Sequence, residues 1–363
     1  MHWIDMHCDT LSEIWKGHAQ SLKKNGLCVD LDRLRQNGAE AQFFACFVNA
    51  RDHAGEAGRP EKGADPSETG RGERTLPGRE VWDLAYRAVL EMVRLASSAE
   101  DEQFCILRDL QESDHGIQQK KSPGPAEGLC TGGILTVEEG GVLNGQIERL
   151  EELYRKKVRL ITLTWNYENC IGSPNSRDPD VMARGLKPFG MEVVERMNEL
   201  GMIIDVSHLS DGGFWDCIRH SRAPIVASHS NARSLCTHPR NLSDEMLRAL
   251  GEKGGITGVN FYSAFLKEPS GKGGTSRAGM DDIVRHIRRM MDQAGEEAVA
   301  LGTDFDGFER EALPEGISGV QHMERLWDAL RRAGITSGQI EKIASGNVKR
   351  VMREVWNARR SYK

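Results

Sequence analysis

Short, nearly continuous apolar runs alternate along this chain with longer stretches in which apolar residues recur every three or four positions. The first kind reads as buried strand and the second as amphipathic helix. Strands are expected over 3–9, 41–49 (AQFFACFVN), 133–137, 158–164, 202–206, 224–227, 255–260 and 299–302, with the brief run at 104–107 as a ninth if it pairs. Helices are expected over 79–100, 145–156, 189–200, 211–220, 243–250, 279–294 and 320–333, followed by 336–345 and 348–356. In 79–100, Val81, Leu84, Ala85, Ala88, Val89, Met92 and Leu95 keep helical spacing. In the helix opened by Ser243, Asp244 and Glu245 fall in the first turn, where the helix dipole favours negative charge. Segments rich in Gly, Pro and polar residues at 51–78, 116–130 and 165–187 interrupt the pattern as loops. The first is long enough to be a functional rim loop or a mobile one.

Strands alternating with helices predict parallel α/β architecture. Eight strands in 363 residues fit a (β/α)8 TIM barrel better than an open sheet. A doubly wound sheet has the same alternation, but no glycine fingerprint follows the first strand, so a dinucleotide fold has no support. The expectation is a single barrel domain over 1–363, with rim insertions near 51–78 and 165–187 and helices at its C-terminal end.

Composition narrows the function classes. The net charge is -6 with both signs mixed along the chain, so there is no nucleic-acid footprint. The first residues lack the basic start and apolar run of a signal peptide, no apolar stretch is long enough to span a bilayer, and there is no lipidation signal. A cytoplasmic protein without membrane contact is expected. Cysteines at 8, 28, 46, 105, 130, 170, 217 and 236 show no CxxC spacing and read as thiols, not a disulfide frame. Cys8 lies between His7 and Asp9 and faces away from them on a strand, so it reads as packing.

In a barrel the reactive groups come from the C-terminal ends of the strands, and candidates recur there. His7 and Asp9 are two apart and share a strand face; alone the pair is also an ordinary polar strand end with a capping Asp. Glu138 and Glu139 follow 133–137. A carboxylate here can bridge two metals, but alternation puts at most one of the two inward. His208 follows Met202-Ile203-Ile204, and His229 follows an apolar strand in the same way. A lone strand-end histidine is more often hydrogen-bonded structure than a ligand; two on successive strands, with HxD on the first, point to zinc. Asp304 and Asp306 follow 299–302, and one of them suits a general base for metal-activated water, although an Asp-Gly turn accounts for Asp306. Arg240, in the loop after His229, suits a substrate carboxylate. Two divalent metals about 3.5 Å apart would polarise a carbonyl and supply the nucleophile, so hydrolysis is the economical reaction class. Serine chemistry lacks a G-x-S-x-G motif, and no phosphate loop is present.

These residues stand in stretches that resemble the membrane (renal) dipeptidase family of zinc metallopeptidases, within the amidohydrolase-like barrels: IDMHCDTL, EEGG, IIDVSHLS, RAPIVASHSNAR, HPRNLSDEML, LGTDFDG and SGNVKRV, in that order over roughly 6–355. The resemblance implies two Zn2+ per chain, one held by His7, Asp9 and Glu139 and the other by Glu139, His208 and His229. Glu138 is the alternative register for the bridging role. It implies Asp304 as the acid/base and Arg240 as the binder of the substrate's C-terminal carboxylate. The reaction implied is attack of a metal-bridging hydroxide on the peptide bond of a dipeptide, L-D dipeptides included. A related binuclear amidohydrolase acting on N-acyl amino acids or lactams is the alternative, and a non-catalytic metal-binding homologue a further one. The family histidine after the TLT of the fourth strand is Trp165 here, with Asn166 or Tyr167 as candidates for its substrate contact. The resemblance further implies a soluble bacterial-type member and a homodimer.

Overall fold

The computed structural model describes residues 1–53, 78–109, 130–269 and 276–358. The loops expected over 51–78 and 116–130 lie almost wholly outside the described residues. The described strands are β1 (Trp3–Asp5), β2 (Ala39–Phe47), β3 (Phe104–Ile106), β4 (Thr131–Glu138), β5 (Val158–Thr162), β6 (Ile203–Asp205), β7 (Val226–Ala227), β8 (Ile256–Val259) and β9 (Val299–Leu301).

Eight of them close a ring. The order β2-β1-β9-β8-β7-β6-β5-β4 returns through pairing of β2 with β4, and the pairings are parallel. The short run at 104–107 does pair, yet stays outside the barrel. β3 takes Thr131–Gly133 of β4, and β5 takes Leu135–Glu138 of the same strand.

Alternation along the strands sorts side chains into two apolar clusters. Ile4, Met6, Ala41, Phe43, Ile134, Leu160, Ile203, Val226, Ile256 and Ala300 pack with Val348, Val351, Met352 and Val355 of the helix Asn347–Ala358. Lys349 of that helix pairs with Glu40 at the start of β2, so the helix closes the N-terminal end of the barrel. Leu135, Val137, Ile161, Ile204, Val259 and Leu301 face outward into the larger cluster with the surrounding helices. Toward the strand C-termini the buried residues turn polar, with Thr136, Glu138, Thr162, Asp205 and Ser228. That end carries the chemistry.

Between β7, β8 and β9 the backbones meet without room for a side chain. A Cβ on Gly258 or Gly302 would lie 2.0 or 1.7 Å from the carbonyl oxygen of Ser228, the residue before His229. Glycine is required where backbone approaches backbone this closely.

Several strands are shorter than their apolar runs. The first ends at Asp5, not Asp9, and the helix Thr10–Trp15 begins directly after it with Asp9 at its N-cap. That helix, Leu31–Gln36 and the single turn Pro179–Met182 inside the expected 165–187 loop are additions to the expected elements. Among the described residues no helix is long and apolar enough to cross a membrane.

Candidate metal centre

His7 follows β1, Glu138 ends β4, His208 follows β6, His229 follows β7 and Asp304 follows β9. At several of these ends the chain leaves extended geometry sharply. Glu139, His208 and Asp304 have φ of 94°, 66° and 61°, a region that disfavours residues with a Cβ by about 1–3 kcal/mol and that clusters at functional sites.

The side chains converge. His7 Nε2 lies 3.2 Å from Glu138 Oε2, 3.4 Å from Asp9 Oδ2 and 3.8 Å from Asp304 Oδ1. The other oxygen of Glu138 faces the other histidines, 2.9 Å from His208 Nε2 and 3.7 Å from His229 Nε2. The His7 and His229 rings stack at 3.8 Å. His7, Glu138 and His229 form one group able to hold a metal ion, and His7, Asp9 and Asp304 form another.

Of the two glutamates, these distances bring Glu138 to the histidines, whereas Glu139, the expected bridge, lies elsewhere. Ile134, Thr136 and Glu138 share one parity on β4, and Ile134 belongs to the barrel interior. Glu138 therefore points inward. Glu139 falls on the other parity, and its left-handed backbone turns its carboxylate onto the Gly141 amide at 2.8 Å and the Asn169 amide at 2.6 Å. Burial pushes its carboxyl up to about 7 against those two bonds.

Hydrogen bonds behind the histidines fix which nitrogen is bare. His208 Nδ1 donates to Asn166 Oδ1 at 3.0 Å. Ser228 Oγ donates to Asp205 Oδ2 at 2.6 Å and accepts from His229 Nδ1 at 2.7 Å. Both Nε2 atoms are then unprotonated, and they face each other at 3.1 Å beside a carboxylate oxygen. Two imidazole lone pairs and a carboxylate repel unless a cation lies among them. His7 Nδ1 and Nε2 and Asp9 Oδ1 are likewise buried without a hydrogen bond. Buried polar atoms are rarely left so, and imidazole with carboxylate is the donor set of zinc. The residues fit two zinc ions.

Electrostatics of the protein alone agree. Burial alone would lower the His7 imidazole, but Glu138 and Asp9 overcome it and hold it well above the usual histidine range. Glu138, despite burial, is held well below the usual carboxylate range by His7 and His208. Burial and the Arg240 charge take His208 down to about 4, and burial with the charges of His7 and Arg240 takes His229 well below its ordinary value. Burial pushes the Asp304 carboxyl up to about 8, with Asp9 and Glu138 adding to it against the pull of His7.

Asp304 Oδ2 accepts from Asn260 Nδ2 at 2.8 Å, leaving Oδ1 toward His7. Asp306 is engaged elsewhere, accepting from Thr10 Oγ1 and the Cys28 amide, each at 2.7 Å. Arg240 is buried, with Nη1 donating to Ser230 Oγ and Nη2 to the His229 carbonyl, both at 3.2 Å. Trp165 and Asn166 line a cavity of about 480 Å³ together with Asp9, Glu138, His208 and Asp304.

Sequence reasoning missed the supports. Asn260 holds Asp304, and its amide also donates to the His229 carbonyl at 3.3 Å. Asp205 accepts from Thr162 Oγ1 and from the amides of Ser207 and Ser228 besides Ser228 Oγ. Their one signal was a polar residue at a strand end. The order carboxylate–hydroxyl–imidazole also differs from a serine-hydrolase triad, where the imidazole stands in the middle.

The sequence model of the membrane dipeptidase family (peptidase family M19) matches residues 1–363. A Schizosaccharomyces pombe protein described as an uncharacterized dipeptidase is 31% identical over 339 residues, covering 91% of this chain and 73% of the yeast protein. The solved structure of dipeptidase AC, a family M19 metallopeptidase, superposes with a TM-score of 0.79 at 26% identity over 98% of this chain and 99% of that one. A metallopeptidase from Rhodobacter sphaeroides, liganded with a phosphinate mimic of the dipeptide L-Ala-D-Ala, gives 0.78 at 26% identity with the same coverage.

Proposed function

This chain belongs to the membrane dipeptidase family, and from that premise we propose how its residues divide the work of a zinc-dependent dipeptidase. The enzyme acts on a dipeptide through a binuclear metal cluster. His7, Asp9 and Glu138 would hold one zinc, and Glu138, His208 and His229 the other. The single observation that carries this assignment is Glu138, with one oxygen toward His7 and the other toward His208 and His229. Bound there, the zinc pair supplies Lewis acidity that polarises the scissile carbonyl and makes water nucleophilic at neutral pH.

The residues of the chain supply the rest. Asp304, fixed by Asn260, takes a proton from the attacking water and returns it to the leaving amine nitrogen as the carbon–nitrogen bond breaks. Arg240, fixed by Ser230 and the His229 carbonyl, provides the positive charge for the substrate's C-terminal carboxylate. Asn166 holds the His208 ring in the orientation that turns Nε2 to the metal site. Trp165 borders the substrate. The phosphinate mimic bound by the Rhodobacter sphaeroides relative supports L-D dipeptides as part of the substrate range.

We read the chain as one domain working as a homodimer in the cytoplasm, without nucleic-acid partners. Its mixed charges support the absence of nucleic-acid partners and its scattered cysteines a reducing compartment, while the homodimer rests on the family resemblance alone. The test is zinc analysis of the purified protein coupled to hydrolysis of L-L and L-D dipeptides, tripeptides and N-acyl amino acids. Two zinc ions per chain and cleavage of dipeptides alone are expected. Glu138→Gln should lose metal and turnover together, whereas Asp304→Asn should keep metal and lose turnover. Full activity in the Asp304 variant would remove it from the mechanism.

A further inference from the structure

The cavity over the metal site has two aromatic walls. On one side Phe47, at the end of β2, meets Trp165, past the end of β5, with ring centroids 4.8 Å apart. Trp165 also meets Tyr167 edge-on at 5.4 Å, and the Arg51 guanidinium covers Tyr167 at 4.0 Å. The indole is packed between two rings, one of them covered in turn, and keeps its orientation. On the other side Tyr262 and Phe265, past β8, pack edge to face at 4.8 Å. In the ring order these ends lie across the barrel mouth from β2 and β5.

Arg240 orients a substrate between the walls. Its guanidinium carbon lies 5.4 Å over the Phe265 ring. A C-terminal carboxylate drawn to Arg240 places the C-terminal residue at the Tyr262–Phe265 side, and the N-terminal side chain then faces Phe47 and Trp165. A charged side chain there would be desolvated against two rings. An acidic one would also face the carboxylates of Asp9, Glu138 and Asp304 on the floor. Lys16, 5.5 Å from the Phe47 ring, already pairs with Glu13 at 2.8 Å. A large apolar side chain gains most, since an aromatic ring packs on aromatic rings and leaves no polar atom unpaired.

Resting on the dipeptidase reading, we propose that Phe47 and Trp165 together select dipeptides whose N-terminal residue carries a large apolar, best an aromatic, side chain. The experiment is kcat/KM on zinc-replete enzyme for Gly-Ala, Ala-Ala, Leu-Ala and Phe-Ala, and for the reversed Ala-Xaa series. The parent should prefer Phe-Ala to Gly-Ala by about tenfold or more, and Trp165→Ala should bring the two within about threefold. The ranking along the Ala-Xaa series should survive. Phe47→Leu, with zinc content checked, should weaken the same preference and stands in if Trp165→Ala does not fold. A flat Xaa-Ala series in the parent, or a preference untouched by both variants, overturns the proposal. So does flattening confined to the Ala-Xaa series. If the zinc-replete parent cleaves no dipeptide at all, the underlying functional reading fails instead.

Discussion

Ser228 passes the influence of a buried carboxylate to a metal-site histidine through one hydroxyl. Removing that hydroxyl leaves His229 Nδ1 without its acceptor and frees the ring to turn. Supports of this kind are worth about 10–100-fold in metal affinity. Ser228→Ala should therefore weaken zinc binding by about that factor, read by competition with a chromophoric chelator, and Ser228→Thr should recover most of it. Unchanged affinity in the alanine variant would mean that Asp205 acts through the backbone amides and the Thr162 hydroxyl it also binds. At this scale the sequence was readable wherever a residue combined a distinctive type with a strand end: His7, Asp9, His208, His229 and Asp304 all meet at one site. The glutamate pair was not readable, because both faces of β4 are apolar, with Ile134 inside and Leu135 and Val137 outside. Alternation then says that one glutamate faces in without saying which. Asn260 and Asp205 were hidden for a different reason: a polar side chain that holds another residue looks the same in sequence as one that caps a turn.

Elements were legible to the degree that they are periodic. The barrel strands and the large amphipathic helices follow from the pattern, and β3 was marked as conditional on pairing. The helices Thr10–Trp15 and Leu31–Gln36 were not, because one or two turns give too little periodicity and such helices depend on tertiary packing. The strands also stop short of their apolar runs, since backbone that aims a ligand leaves the ladder to do so. The contact at β7–β9 has a testable edge. Gly302→Ala would drive a methyl group into the Ser228 carbonyl, a backbone atom that cannot rotate away. Overpacking of this kind typically costs about 1–3 kcal/mol. The expected outcome is a lower melting temperature together with weaker zinc binding, because the displaced carbonyl carries His229 with it. A lower melting temperature with unchanged zinc affinity would separate the barrel wall from the site.

For the whole molecule, metal uptake and protonation are linked. Zinc requires neutral imidazoles. His208 and His229 are lowered and so are already neutral at pH 7, whereas His7 is raised and carries its proton there in the metal-free protein. Zinc binding at pH 7 should therefore release protons, from His7 and from the Asp304 carboxyl that burial holds up at about 8. The sign follows from the direction of the shifts: apparent affinity rises with pH until it passes the raised His7 and Asp304 values and then levels. Calorimetry in two buffers of different ionisation enthalpy measures the proton count, and a count near zero would contradict the charge state of His7. The single closed barrel and its reactive end were legible at this scale from alternation and strand count. The closing of the opposite end by the helix Asn347–Ala358 was not, because its apolar face looks like that of any outer helix.

The left-handed backbone at Glu139, His208 and Asp304 sets residues with a Cβ where glycine would sit without strain. Glycine would relieve the strain at each position and would carry no side chain to the neighbours that Glu139, His208 and Asp304 now reach. Backbone ease is given up at these three positions so that a particular side chain, and not merely a turn, stands there.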